Sequence, residues 1–347
     1  MRGQRPLLAI MIVASLYAQA AAAQAEAAQE YKLPAGIPAE FQYTPPAANF
    51  TVRGTPHLQS AVALVVDQVD GKTLYAKNPH IRTPIASITK LMTAMVTLDA
   101  NLPMDEVITI TENEIDTLKG TRSRLHVGMQ LTRLELLQLA LMASENRAAA
   151  ALGRTYPGGQ GAFMAAMQHK AASLGMVNSH FADATGLDSR NLSTAEDLVK
   201  MVKAAYRYQL ISDLSTSPGY YVVNGDRYVP YKNTNKLVNQ KDWVIGLSKT
   251  GFINESGRCL VMQAFLNNKP VIMVLLDSAG KFTRIADAVR VKQWLEGVTP
   301  TRIAGTRLAK NKTVRVAKQN KPGKRLVLAK PDKRKRVVAS LKSPHYR

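Results

Sequence analysis

The chain has 347 residues, 46% of them apolar, a formal net charge of +21 and a single cysteine. That length holds one large domain or two modest ones with ample core, and one cysteine, Cys259, excludes an internal disulfide. The six histidines are scattered, with no H-x-x-x-H or comparable ligand spacing, which argues against a zinc centre.

The chain opens MRGQRPLLAIMIVASLYAQAAAAQA. Arg2 and Arg5 form a basic start, and Leu7 to Tyr17 is an apolar run too short to span a bilayer. Small residues at Ala21, Ala22 and Ala23 supply a cleavage site. This order is that of a secretory signal peptide over residues 1–23. No later stretch is long and apolar enough to form a transmembrane segment, so the mature protein is expected outside the cytoplasm. Residues 24–55, rich in Ala, Gln and Pro, read as a linker.

SAVALVVDQVDGKTLYAKN then gives two strand-like runs around Asp70-Gly71, a hairpin signal. PIASITKLMTAMVTLDA predicts a helix from Pro84, a residue suited to a first helical turn. Ile85, Ile88, Leu91, Met92, Met95, Val96 and Leu98 fill its apolar face. Lys90 is its one charge before Asp99 and lies one turn after Ser87, so the two side chains share a face. From Leu125 to Tyr208 the pattern is helical. Thr132 and Glu135 have capping-box spacing, and LMASENRAAAALG places Ser144, Glu145 and Asn146 at a junction of two helical runs. A polar, turn-rich stretch follows. Three strand-like runs come next: DWVIGLSKTGF, RCLVMQAFLNN and PVIMVLLDS, the last two joined as a hairpin by NNKP. KFTRIADAVRVKQWLEGV closes the pattern as a helix. Two strands, a helical block, three strands and a terminal helix suit an antiparallel sheet with a helical insertion; parallel α/β is excluded because strands and helices do not alternate.

The basic charge belongs to the tail. Val298 to Arg347 carries sixteen Lys/Arg against one acid, Asp332, a balance of +15 that leaves +6 for the rest. Pro300, Pro322, Pro331 and Pro344 interrupt it, and it has no sustained helical period, so residues 298–347 read as disordered. Behind a signal peptide, anionic envelope material suits this tail better than nucleic acid.

Taken singly, Ser87-x-x-Lys90, Ser144-x-Asn146 and Lys249-Thr250-Gly251 are weak signals, each common by chance. Their order, with each in a suitable element, is the motif set of penicillin-binding proteins and class A β-lactamases. Over about residues 56–297 the sequence resembles serine D,D-peptidases of the low-molecular-mass penicillin-binding protein type, and most of all the penicillin-binding protein 7 group of D-alanyl-D-alanine endopeptidases. SITKLMTAMV, LMASENRAAAALG, NSHFADATGL, STAEDL, YKNTNKLV and KTGFINESGRCLVM carry the likeness. The resemblance implies an α+β, three-layer α/β/α fold: an antiparallel sheet of about five strands, N- and C-terminal helices on one face, and an inserted helical subdomain. It implies a catalytic domain at 56–297, no cofactor, and a periplasmic location.

It also implies roles. Ser87 is the nucleophile, a weak one until a base takes its proton. Lys90 is that base, and must be neutral to act; burial and a second cation, Lys249, favour the neutral form. Ser144 relays a proton to the leaving amine, and Asn146 bonds the substrate amide and Lys90. Lys249 and Thr250 hold a carboxylate, Gly251 lets substrate lie along the strand edge, and backbone N–H groups of Ser87 and Phe252 form the oxyanion hole. Glu145 has no implied role. The segment NSHFADATGLDSRNLSTAEDL offers Asp183 and Asp188 but no Glu-x-x-x-Asn, so a β-lactamase is disfavoured and β-lactams are expected to inhibit. The substrate expected is peptidoglycan, cut at D-alanyl–diaminopimelate cross-links by an endopeptidase. A D,D-carboxypeptidase removing terminal D-alanine is the alternative, and an inactive exported binding protein a third. The short basic tail, without the apolar pattern of an added domain or an interfacial helix, favours the first.

Overall fold

The computed structural model describes residues 54–225 and 227–297. The leader at 1–23, the linker up to residue 53 and the basic tail at 298–347 lie outside the described residues. In chain order the elements are β1 Val62–Asp67, β2 Thr73–Lys77, β3 Thr83–Pro84, a 3-10 turn Ala86–Thr89, α1 Lys90–Asp99, β4 Val107–Thr109, β5 Gln130–Thr132, α2 Arg133–Met142, α3 Asn146–Arg154 and α4 Gly159–Ser173. They continue with β6 Leu192–Ser193, α5 Ala195–Ala205, α6 Gln209–Thr216, β7 Gly219–Asn224, β8 Arg227–Lys232, β9 Val244–Ile253, β10 Gly257–Leu266, β11 Lys269–Ser278 and α7 Thr283–Leu295.

The main sheet has five strands in the order β2-β1-β11-β10-β9, every pairing antiparallel. Strand alternation divides its side chains between two cores. Val62, Leu64 and Val66 of β1, with Cys259 and Val261 of β10, face the helical block. Ala63 and Val65, with Leu260, Met262 and Ala264, face α7. The result is the expected three-layer α+β arrangement. Among the described residues, α7 is the helix on the outer face; the expected N-terminal helix is not among them. The Asn267-Asn268 hairpin turn has φ +50° and +59°, the left-handed pair that matches strand twist and that asparagine tolerates.

Three readings are refined. The helix begins at Lys90, not Pro84: Pro84 pairs with Leu192 in the short β3–β6 ladder, and a left-handed Ala86 (φ +46°) breaks the chain before a single 3-10 turn. From Lys90 to Thr97 every residue of α1 is buried, so this is a central helix of the helical block and not an amphipathic surface helix. The polar stretch before β9 holds α6 and the β7–β8 hairpin. The Thr132–Glu135 capping box is present, each side chain bonding the other's backbone N–H.

One buried carboxylate ties the ends of the fold together. Asp287 of α7, fully buried, accepts from the Gln59 and Ser60 backbone N–H groups, the Ser60 hydroxyl and Arg290. Asp287→Ala strands those backbone donors, at a cost of about 3 kcal/mol or more, and is expected to lower the melting temperature by roughly 6–12 °C. A calorimetric scan showing no drop would refute this.

Candidate active site

The 3-10 turn presents Ser87 at the seam between the sheet and the helical block. Two glycines make the approach possible. A Cβ on Gly251 of β9 would sit 2.9 Å from Ile85 O and 3.1 Å from Ser87 N, so the absent side chain lets edge strand β9 close onto the turn. This is a different reason for Gly251 from an open strand edge: its missing Cβ faces the Ser87 turn. Gly186, at φ +82°, is tighter still, with a hypothetical Cβ 1.9 Å from Ala86 O. Gly186→Ala must displace the turn. A misplacement of about 1 Å can cost roughly 100-fold, and a loss of that order in the rate of acylation by a fluorescent penicillin is expected; a wild-type rate would show that the turn does not depend on Gly186.

Lys90 Nζ lies 2.7 Å from Ser87 Oγ, 2.7 Å from Asn146 Oδ1 and 2.6 Å from the Thr185 carbonyl oxygen. It is wholly buried. Burial pushes its pKa down to about 7, against the raising influence of Asp183 and Glu145. Ser144 stands in the gap between α2 and α3 with a left-handed backbone, φ +61°, a strained conformation for a side-chain-bearing residue. Its Oγ accepts from Lys249 Nζ at 2.8 Å. Lys249, also buried, gives a second hydrogen bond to the Thr250 carbonyl. Burial, then the Lys90 charge, then that of Arg284 push Lys249 well below the usual lysine range. Thr250 Oγ1 donates to Thr234 Oγ1 at 2.7 Å. Phe252 follows on β9, its half-exposed ring under the Arg258 guanidinium, 4.4 Å away.

All eight singled-out residues thus belong to three adjoining segments, arranged as two lysine–hydroxyl pairs: Lys90 with Ser87, and Lys249 with Ser144. Four participants escaped the sequence reading. The Thr185 carbonyl accepts from Lys90, Gly186 admits the turn, Thr234 holds Thr250, and Arg284 of α7 donates to Gly251 O at 2.9 Å. Thr185, Gly186 and Thr234 lie in stretches that carry the family likeness, NSHFADATGL and YKNTNKLV, but no residue type there announces the contact. Asp183 is consumed by its own loop: its oxygens accept from the Thr185 and Gly186 N–H groups, the Thr185 hydroxyl and Asn191. Asp188 is paired with Arg190. Neither carboxylate is spare to activate water. Glu145 bonds Ser123. A cavity of about 320 Å³ opens beside Asn146, bounded also by Ala150, Arg154, Thr185 and Leu187.

Comparison with known proteins places this geometry. The profile of the peptidase S11 family, described as D-alanyl-D-alanine carboxypeptidase, matches residues 49–280. A Pseudomonas aeruginosa protein named D-alanyl-D-alanine endopeptidase is 49% identical over 73% of this chain and 81% of its own length. An Escherichia coli protein of the same name is 44% identical over 81% of this chain and 92% of its own. The crystal structure of the Streptomyces K15 DD-transpeptidase superposes with a TM-score of 0.66 at 28% identity, covering 71% of this chain and all of that one.

Proposed function

The chain belongs to the D-alanyl-D-alanine carboxypeptidase family of peptidases, and from that premise we infer that it is a serine D,D-endopeptidase cutting D-alanyl–diaminopimelate cross-links of peptidoglycan. The observation that carries the reading is the 2.7 Å contact between the Ser87 hydroxyl and the Nζ of buried Lys90, whose pKa burial pushes down to about 7.

In this reading Ser87 Oγ attacks the carbonyl carbon of D-alanine and passes its proton to neutral Lys90. The oxyanion is met by the backbone N–H groups of Ser87 and Phe252. As the C–N bond breaks, Ser144 relays a proton to the leaving amine, and water then hydrolyses the acyl ester. Lys249 and Thr250 receive the carboxylate beside the scissile bond. An arriving carboxylate favours the ammonium form of Lys249, and that charge disfavours a proton on Lys90. Substrate binding therefore primes the base. The cavity beside Asn146 gives room for the acyl half of the substrate. β-Lactams acylate Ser87 and, with Asp183 and Asp188 both engaged in their own loop, persist as inhibitors.

The names of the two relatives favour endopeptidase over carboxypeptidase; the family description supports the latter as a second reading. Purified muropeptide dimers and pentapeptide monomers separate them. Dimers should be cleaved faster than terminal D-alanine is released; preferential release of D-alanine would establish the carboxypeptidase. Residues 1–23 support export to the periplasm. The +15 segment at 298–347 supports attachment to anionic envelope material. Binding of the full-length protein to isolated sacculi should fall steeply as salt shortens the Debye length from about 10 Å at 0.1 M to about 3 Å at 1 M. Salt-independent binding would reject the tether.

A further inference from the structure

Three groups surround Lys90 Nζ: Ser87 Oγ, Asn146 Oδ1 and the Thr185 carbonyl. A neutral lysine has two N–H donors and one lone pair. The two carbonyl oxygens can only accept, so they take both donors and leave the lone pair facing the Ser87 hydroxyl, the orientation proton transfer needs. That holds only while the Asn146 amide is turned with Oδ1 toward Lys90. The two ends of a carboxamide are nearly the same size, so packing does not choose between them; the hydrogen-bond network does.

The choice is made outside the motifs, on the loop between the Glu112–Glu114 turn and β5. Thr121 Oγ1 lies 3.1 Å from Asn146 Nδ2 and 2.6 Å from Asp116 Oδ2. Asp116 also accepts the backbone N–H groups of Leu118, Lys119 and Thr121. Burial would raise its pKa, but these hydrogen bonds outweigh it and hold the carboxyl below the usual range. An ionised carboxylate has no proton to give. The Thr121 hydroxyl must therefore donate to Asp116, its lone pairs face Asn146, and the Nδ2 end of the amide is the one that fits.

We propose that Thr121 and Asp116 are positioning residues for acylation: the Asp116–Thr121–Asn146 series sets the direction of the Asn146 amide and so keeps the Lys90 lone pair on Ser87. It rests on the assignment of Ser87 as nucleophile and Lys90 as base. The second Nδ2 hydrogen remains for the substrate amide. The charged groups bearing on Lys90 are Asp183 before Thr185, Glu145 ahead of α3 and Lys249 on β9; substitution at position 121 removes none of them.

The test is the rate of acylation by a fluorescent penicillin, measured across pH 5.5–9 on the full-length protein. Thr121→Val keeps the shape but loses both hydrogen bonds. With the amide free to turn, N–H groups oppose the Lys90 ammonium and compete for its lone pair. The high-pH limiting rate should fall ~10–100-fold, part of what a general base contributes, and the midpoint of the profile should move to lower pH. Thr121→Ser, which restores the hydroxyl, should recover both rate and midpoint. Asp116→Asn should shift the profile in the same direction, and adding it to Thr121→Val should cost little more, because the two act in series. An unchanged rate and midpoint in Thr121→Val overturns the proposal. So does a smaller active fraction with the midpoint fixed, or equal losses in the Val and Ser variants. If wild-type protein is not acylated at Ser87 at all, the reading of the site fails first.

Discussion

Ser87→Ala is expected to abolish labelling by a fluorescent penicillin and to reduce turnover of cross-linked muropeptides by roughly four to six orders of magnitude. Losses of this size follow removal of a nucleophile, because what remains is only binding and oxyanion stabilisation around a weakly attacking water. The side chain removed is small and, among the described residues, its hydroxyl bonds Lys90, so the fold has little to lose. Lys90 keeps Asn146 and the Thr185 carbonyl. The variant should therefore melt near the wild-type temperature while showing no covalent adduct. Mass spectrometry locating a penicilloyl group on Ser144 in the wild type would reverse the assignment of the two serines. A second hydroxyl beside a buried lysine makes that outcome a real competitor, since Ser144 Oγ is 2.8 Å from Lys249 Nζ. Position separates them: Ser87 is the serine on the turn that edge strand β9 approaches through Gly251.

Acylation of the wild type should rise with pH through about 7 and level off above it, because Lys90 acts only when unprotonated and its pKa is pushed to about 7 by burial. The sign follows directly. Below that value the neutral fraction falls about tenfold per pH unit; above it, deprotonation adds nothing further. Lys90→Arg keeps the charge in a group that stays protonated throughout this range. It should lose roughly 10²–10⁴-fold in rate, the usual contribution of a general base, and the rise near pH 7 should disappear with it. An Arg variant that acylates at the wild-type rate would mean that Lys90 supplies only charge. Peptide substrates carry a second dependence. Lys249 must be protonated to hold a carboxylate, and burial, the largest cause, lowers its pKa even where Lys90 is neutral. For peptides KM should therefore climb on the alkaline side. Comparing kcat with KM across pH distinguishes this binding effect from loss of the base.

Several features of the fold were legible one segment at a time. The near-continuous apolar runs RCLVMQAF and PVIMVLLDS specify strands buried on both faces, and β10 and β11 are that. Asp70-Gly71 and Asn267-Asn268 carry their turn geometry in residue type, since glycine and asparagine tolerate the positive φ observed at Gly71, Asn267 and Asn268. The β7–β8 hairpin was not legible. Its outward residues Tyr221, Val223 and Tyr228 are exposed and as apolar as its inward ones, so the alternation that marks a half-buried strand is absent. Nor was the start of α1: Pro84 fits a first helical turn and a short edge strand equally well, and pairing with Leu192, far along the chain, decides between them.

The site divides along the same line. Ser87, Lys90, Ser144, Asn146, Lys249, Thr250 and Gly251 could be singled out because the groups of each motif lie within three residues of one another, where local backbone geometry brings them together. The Thr185 carbonyl on Lys90, the Arg284 guanidinium on Gly251 and the Thr121–Asn146 contact span 95, 33 and 25 residues. Two of these use a backbone oxygen, which every residue possesses and no residue type announces. Local spacing determined which groups the chain could offer. Packing of the helical block against edge strand β9 decided which of them meet and how dry both lysines, Lys90 and Lys249, become.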